Sequence, residues 1–160
     1  MVSPSLGFGG DDCERLFQAP KFVASRIRWK QRDDDTCLFQ AKVLTSDGIG
    51  LDLFGYWHQD QKYHRVRWGF SLRYRGFIVR SWDMASKHRN PAHGGKIKGP
   101  HKHRFSSSRI PRLAYSPNPP LSLANPNDTL MDFLKEANIS LPTDYTDFMF
   151  PAQYALQLDQ

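Results

Sequence analysis

Cysteine is scarce in this chain: Cys13 and Cys37 are the two present among 160 residues. Two thiols build no disulfide framework, and neither has a partner at metal-ligand spacing. A stapled secreted scaffold and a cysteine zinc knuckle are therefore excluded. Long apolar runs are missing too, since none approaches the roughly 20 residues that a membrane-spanning helix needs. The stretch from Met1 to Phe8 has neither the basic start nor the apolar core of a leader peptide. These shortages lead to an expectation of free thiols in a reducing cytoplasm, with no membrane partner.

Acidic side chains are the third shortage, and it is local. Residues 61–113 hold 14 Lys/Arg against one acid, Asp83, a net +13 in a chain whose total is +6. The flanks run the other way, at −2 over residues 1–60 and −5 over residues 114–160. A solvated surface of mixed charge does not segregate in this manner. A cationic middle between acidic ends points to a polyanionic partner, with RNA or DNA ahead of an acidic protein.

What the chain does have is enough apolar material to fold, 39% hydrophobic and 13% aromatic. Residues 1–20 read as a flexible arm rich in Gly, Ser and Pro, with at most a short helical turn from Asp11 to Phe17. Residues 21–160 read as one domain. Strands are expected over Phe22–Lys30, Cys37–Leu44, Leu51–Trp57, Tyr63–Tyr74 and Phe77–Trp82, the last two joined at Arg75-Gly76. In the Tyr63–Tyr74 strand Val66, Trp68, Phe70 and Leu72 share a core face. Arg65, Arg67, Ser71, Arg73 and Arg75 share the opposite face, where guanidinium forks suit phosphate. Trp57, Trp68 and Trp82 are expected in the core, leaving Phe105 and Tyr74 as the better candidates to stack on a base.

A long basic, His-rich loop is expected over 83–110. After it, Asn125 caps a helix with Pro126 at its first position, and Leu130, Met131, Phe133, Leu134 and Ala137 form its apolar stripe. Phe148, Phe150 and Tyr154 are expected to dock the tail. The fold class is α+β: a single domain with a twisted antiparallel sheet of about five strands and one main C-terminal helix packed on it.

Chemistry concentrates in the loop. All six histidines fall between His58 and His103, and four lie in residues 88–103. His58 and His64 flank a polar turn and are expected at the surface, and His93 reads as a spacer. In an extended Gly99-Pro100-His101-Lys102-His103-Arg104-Phe105, the imidazoles of His101 and His103 point one way and Lys102 and Arg104 the other. Histidine moves protons near neutral pH and also ligates metals.

Two mechanisms use these parts. In the favoured one, needing no metal or other cofactor, His88, His101 and His103 supply the general base and general acid for RNA cleavage. Asp83 orients an imidazole, and Arg89, Lys102 and Arg104 meet the phosphate along with Arg65, Arg67 and Arg73. In the other, His88, His101 and His103 hold zinc and leave one position to water. The shortage of carboxylates and the local positive charge count against the metal.

The run from the arginine-rich hairpin through Ser81-Trp82-Asp83, His88-x-Asn90-Pro91 and Gly99-Pro100-His101-x-His103 resembles small bacterial proteins of the TumE-like type, commonly encoded beside an antitoxin. The likeness covers roughly residues 63–105, and it breaks at Ala92-His93-Gly94-Gly95, where relatives carry an acid and glycine directly after Asn-Pro. The resemblance implies an α+β toxin with ribonuclease activity, Asp83, His88, His101 and His103 as site residues, and an acidic antitoxin as partner. A non-enzymatic module that binds nucleic acid or an acidic protein through the arginine face stands as the first alternative, and a zinc-dependent hydrolase as the second.

Overall fold

The structure is a computed structural model that describes residues 8–84, 87–90, 95–105, 113–121 and 125–142. Phe148, Phe150, Tyr154 and His93 lie outside the described residues. Among the described residues, eleven strands and two helices follow the chain in order. They are α1 (Gly10–Gln18), β1 (Lys21–Val23), β2 (Lys30–Asp33), β3 (Thr36–Thr45), β4 (Gly50–Asp60), β5 (Arg65–Tyr74), β6 (Phe77–Asp83), β7 (Lys87–Arg89), β8 (Lys96–Lys98), β9 (His101–Arg104), β10 (Leu113–Tyr115), α2 (Pro126–Glu136) and β11 (Ile139–Ser140).

The fold class is the expected mixed α+β, but the sheet is larger than expected. Nine strands join in the order β10-β9-β6-β5-β4-β3-β1-β11, with β2 paired to β3, and β7 and β8 form a separate hairpin. Pairing is antiparallel except between β1 and β11. The β5–β6 turn is the one the sequence announces. Arg75 (φ 48°) and Gly76 (φ 84°) both take positive φ, the geometry whose twist suits a two-residue hairpin.

The strand expected over Phe22–Lys30 ends at Val23, and strand resumes only at Lys30. The Ser25 hydroxyl accepts from the Lys42 amide at 2.7 Å, so a side chain takes the place of the next ladder bond. Beyond the break Ile27 is fully buried, and Trp29 packs edge-on against Phe39 at 4.7 Å.

The alternation of β5 builds two unlike faces. Trp68, Phe70 and Leu72 are buried together with Trp57 and Trp82, as expected for these tryptophans. Both helices cover this face. Phe133 of α2 meets Phe70 and Trp82 at 6.1 and 5.6 Å, while Arg80 reaches over the Phe17 ring of α1 at 4.2 Å. Burying side chains of this size contributes roughly 1.5–3 kcal/mol each.

The N-terminal segment is thus no loose arm from Gly10 to Gln18. Cys13, Leu16 and Phe17, at helical spacing, lock α1 into the core. Of the two free thiols, both buried, Cys13 is pushed up to about 11, chiefly by burial. In α2 the Asn125 side chain accepts from the Asp128 amide at 2.9 Å and Pro126 opens the first turn, but Met131 leaves the expected stripe and stays 45% exposed.

Phe105 and Tyr74 are corrections as well. Phe105 is buried, and both rings pack against Phe8, at 6.3 and 5.3 Å, so neither stands ready for a base. His64 is exposed as expected, but His58 is half-buried, its Nδ1 3.1 Å from the Thr36 hydroxyl. No helix of the described residues is long and apolar enough to cross a membrane.

Candidate functional site

The face opposite the helices is built by register. One row across the sheet runs Gln40, Phe54, Ser71, Ser81, His103 and Ala114, and the next runs Leu38, Tyr56, Gly69, Asp83 and His101. Two imidazoles on β9 therefore stand on the same face as Ser81 and Asp83. The stretch expected as a loop over 83–110 supplies them from strands, because β9 pairs with β6 on one side and β10 on the other.

His88 arrives from the β7–β8 hairpin. The register His88–Ile97 and Arg89–Lys96 puts His88 and Ile97 on one face of the hairpin and Arg89, Lys96 and Lys98 on the other, where all three cations are exposed. The ring of His88 lies 4.7 Å from that of His103 and 5.3 Å from that of His101, and His101 and His103 are 4.7 Å apart. The three histidines picked out by the sequence do meet.

Each ring is held by a neighbour. His103 Nε2 lies 3.3 Å from His88 Nδ1, and its Nδ1 lies 3.1 Å from the Ser81 hydroxyl. His101 Nδ1–H donates to the Gly99 carbonyl at 2.9 Å. That carbonyl is aimed by Gly99 itself, whose φ of 80° is open to glycine and strained for other residues. A carbonyl carries no proton, so in the neutral ring this bond leaves the lone pair on His101 Nε2. Nε2 is buried and has no hydrogen-bond partner.

The remaining site residues divide by face. Lys102 and Arg104 point to the helix side, as the strand alternation required, so they do not line the cluster. Lys102 pairs with Glu136 of α2 and lies over the Trp82 ring, and Arg104 lies over Tyr115. Asp83 sits opposite His101 in register and accepts from the Tyr56 hydroxyl at 2.8 Å. The Gly99 carbonyl orients the ring of His101, and the Ser81 hydroxyl that of His103.

The arginine row is partly interrupted. Gly69 and Ser71 are buried between exposed Arg65 and Arg67 at one end and half-buried Arg73 at the other. Arg73 lies 4.2 Å over the Phe54 ring, and its Nε donates to Ser71 at 3.1 Å.

A groove of about 310 Å³ runs along this face, lined by Phe54, Tyr56, Ser71, Arg73, Ser81 and Asp83. It shares Leu38, Phe54 and Gly55 with a second groove of about 640 Å³, lined by Arg26, Arg28, Lys30, Arg32 and Lys42. One end of this continuous track is Ser81, the partner of His103. The other is a cluster of cations.

Several of these residues were not singled out from sequence. Arg26, Arg28 and Lys30 show the alternation that sets them apart from Ile27, but their alignment with the histidines depends on sheet order. Ser81 sits within Ser81-Trp82-Asp83 without any cue to its partner. Asn90, 7% exposed, donates its amide to the Ala114 carbonyl at 2.7 Å and accepts from the Ala114 amide at 2.9 Å, tying the His88 segment to the edge strand β10.

No family model matches the chain, and searches of curated proteins and of solved structures find no significant match. The likeness to TumE-like toxins therefore rests on the motif residues alone.

Proposed function

We propose that the protein cleaves phosphodiester bonds of a single-stranded nucleic acid, RNA being the expected substrate, with the histidine cluster as the reactive centre. The observation that carries this reading is the meeting of His88, His101 and His103 behind Ser81, which lines one groove of this face, while the adjoining groove is lined by Arg26, Arg28, Lys30 and Arg32. Cations along a groove follow a phosphate backbone, and a groove open on one sheet face suits a single strand.

In the reaction, a proton acceptor takes the 2′-hydroxyl proton and the 2′-oxygen bonds to the adjacent phosphorus. The bond to the 5′-oxygen breaks, and the proton is returned to that oxygen. The products are a 2′,3′-cyclic phosphate and a 5′-hydroxyl. His101 and His103 are 1% and 0% exposed, so direct contact with the substrate falls to half-buried His88, with His103 and Ser81 behind it. This burial weighs against the simple reading in which His101 and His103 act as the exposed acid and base. The TumE-like resemblance supports the same activity and an acidic antitoxin as partner.

The test is incubation of untagged protein with single-stranded RNA, and with the same RNA carrying 2′-deoxy sugars. Cleavage of the RNA to cyclic-phosphate ends is expected, reduced at least ~100-fold in His88→Ala and absent on the 2′-deoxy strand. Intact RNA after wild-type incubation, or equal cleavage by the variant, overturns the reading.

A second reading is favoured by the separation of the basic groove from the histidines. The groove alone would bind a nucleic acid without cutting it. Binding that falls steeply with salt and survives His88→Ala, without cleavage, distinguishes this case.

A further inference from the structure

We propose that His88, His101 and His103 form a mononuclear site for a divalent cation of the borderline class, with zinc as its representative. The inference concerns the cluster described above but does not depend on RNA being the substrate.

The first support is spacing. With Zn–N bonds of about 2.0–2.1 Å, two ligands of a tetrahedral ion lie about 3.3–3.4 Å apart. His103 Nε2 and His88 Nδ1 are 3.3 Å apart, and one ring nitrogen from each of the three histidines falls within 4.8 Å of the others.

The second support is His101. A hydrogen-bonded network between His88 and His103 accounts for those two rings without a metal, but it leaves His101 Nε2 buried with no donor. A buried acceptor without a partner is destabilising. Its Nδ1–H is spent on the Gly99 carbonyl, so Nε2 is the nitrogen left to coordinate in the neutral ring. Metal-binding histidines have this arrangement, with the second nitrogen donated to a carbonyl or another acceptor. Ser81 stands in the equivalent place behind His103.

The third support is electrostatic. The net positive charge of this segment argues against a cation only if the charges face it. Lys102 and Arg104 lie on the opposite sheet face, and Arg89, Lys96 and Lys98 lie on the outer face of the hairpin. Asp83 shares the cluster's face, across from His101.

Three imidazoles select zinc and its neighbours in the transition series over calcium and magnesium, which take oxygen ligands. The cluster contains no fourth protein ligand among the described residues. One coordination position therefore remains for water or a phosphate oxygen, which is the pattern of a reactive rather than a structural site.

The test uses full-length untagged protein stripped with chelator, dialysed and titrated with Zn²⁺ in a calorimeter, with Co²⁺ absorption as a second readout. One equivalent bound is expected, with tetrahedral Co²⁺ bands and no heat from Mg²⁺. His101→Gln and His88→Ala should each weaken binding more than ~100-fold, and Ser81→Ala by about 10–100-fold. His88 sits on a half-exposed hairpin strand, so its variant keeps the sheet even where His101→Gln does not fold. Absence of binding by the folded wild type, or unchanged affinity in folded His88→Ala, overturns the site. RNA cleavage that persists in chelator removes the metal's role and leaves the proposed function standing. One bound equivalent with RNA left intact does the reverse.

Discussion

Asn90 uses both ends of its carboxamide on a single residue, Ala114, with the amide donating to the carbonyl and the oxygen accepting from the amide. A side chain thus takes the place of a strand on the outer edge of β10, the last strand on its side of the sheet. Two residues before it, His88 is delivered to the cluster. Asn90→Ala should leave both Ala114 groups without these partners, at about 1–3 kcal/mol each where they stay buried. Amide exchange at Ala114 should accelerate while the β4–β5 amides keep their protection. Equal protection of Ala114 in the variant would show that the carboxamide does not hold the edge.

Gly69 controls the reach of Tyr56. A Cβ at this position would lie 2.7 Å from the Trp82 carbonyl oxygen and 2.7 Å from the Tyr56 ring. The absence of a side chain lets Tyr56 extend across β5 and place its hydroxyl on Asp83. Gly69→Ala is expected to cost about 1–3 kcal/mol, because one of the clashing atoms belongs to the backbone of β6. Thermal unfolding checks the loss, and a melting temperature equal to wild type would contradict the packing.

The two sheet faces make opposite predictions for nucleic-acid binding. Charge reversal at Arg28 and Arg32, which line the groove, should weaken binding of single-stranded RNA and flatten its salt dependence. Each lost phosphate contact lowers the slope of log K against log salt by about 0.7. Arg104→Glu, on the helix side, should leave the slope unchanged. A fluorescence titration over several salt concentrations separates the two, and equal effects from both faces would refute the track.

The β3–β6 meander was legible because its strands are long enough for period-two alternation to show, as Val66, Trp68, Phe70 and Leu72 illustrate. Arg75-Gly76 and Asn125-Pro126 were legible because turn and cap chemistry is local. Helix α1 was legible only as a short helical turn from Asp11 to Phe17; its docking was not, since nine residues hold only Cys13, Leu16 and Phe17 as core contacts and the surrounding Gly, Ser and Pro read as a loose arm. The alternation of His101, Lys102, His103 and Arg104 in β9 was legible, but β7, β8 and β10, of three residues each, are too short to carry a period. Their pairing rests on non-local contacts such as Asn90 to Ala114. The histidine trio was visible as composition, whereas the groups that orient it, the Gly99 carbonyl and the Ser81 hydroxyl, became visible only through register and backbone geometry.

Lys21 gives a pH-dependent prediction outside the site. It is 3% exposed, and its ammonium donates to the carbonyls of Leu16 and Phe17, at 2.8 and 2.7 Å, and to that of Ala19, closing the C-terminal end of α1. Burial lowers its pKa from 10.5 to about 8. Below pH 8 the amine is protonated in both folded and unfolded chains, and the full cost of burying the charge is present. Between 8 and 10.5 the unfolded chain holds the proton more tightly, so this group's contribution to stability increases with pH. Measured against Lys21→Met by denaturant unfolding, the wild type should gain stability across that window, at up to about 1.4 kcal/mol per pH unit. At pH 7 the variant is still expected to lose about 1–3 kcal/mol, because the carbonyls at the end of α1 lose their donor. A difference between the two proteins that stays flat or shrinks from pH 8 to 10 would show that the carbonyl acceptors, and not burial, set the proton affinity of Lys21.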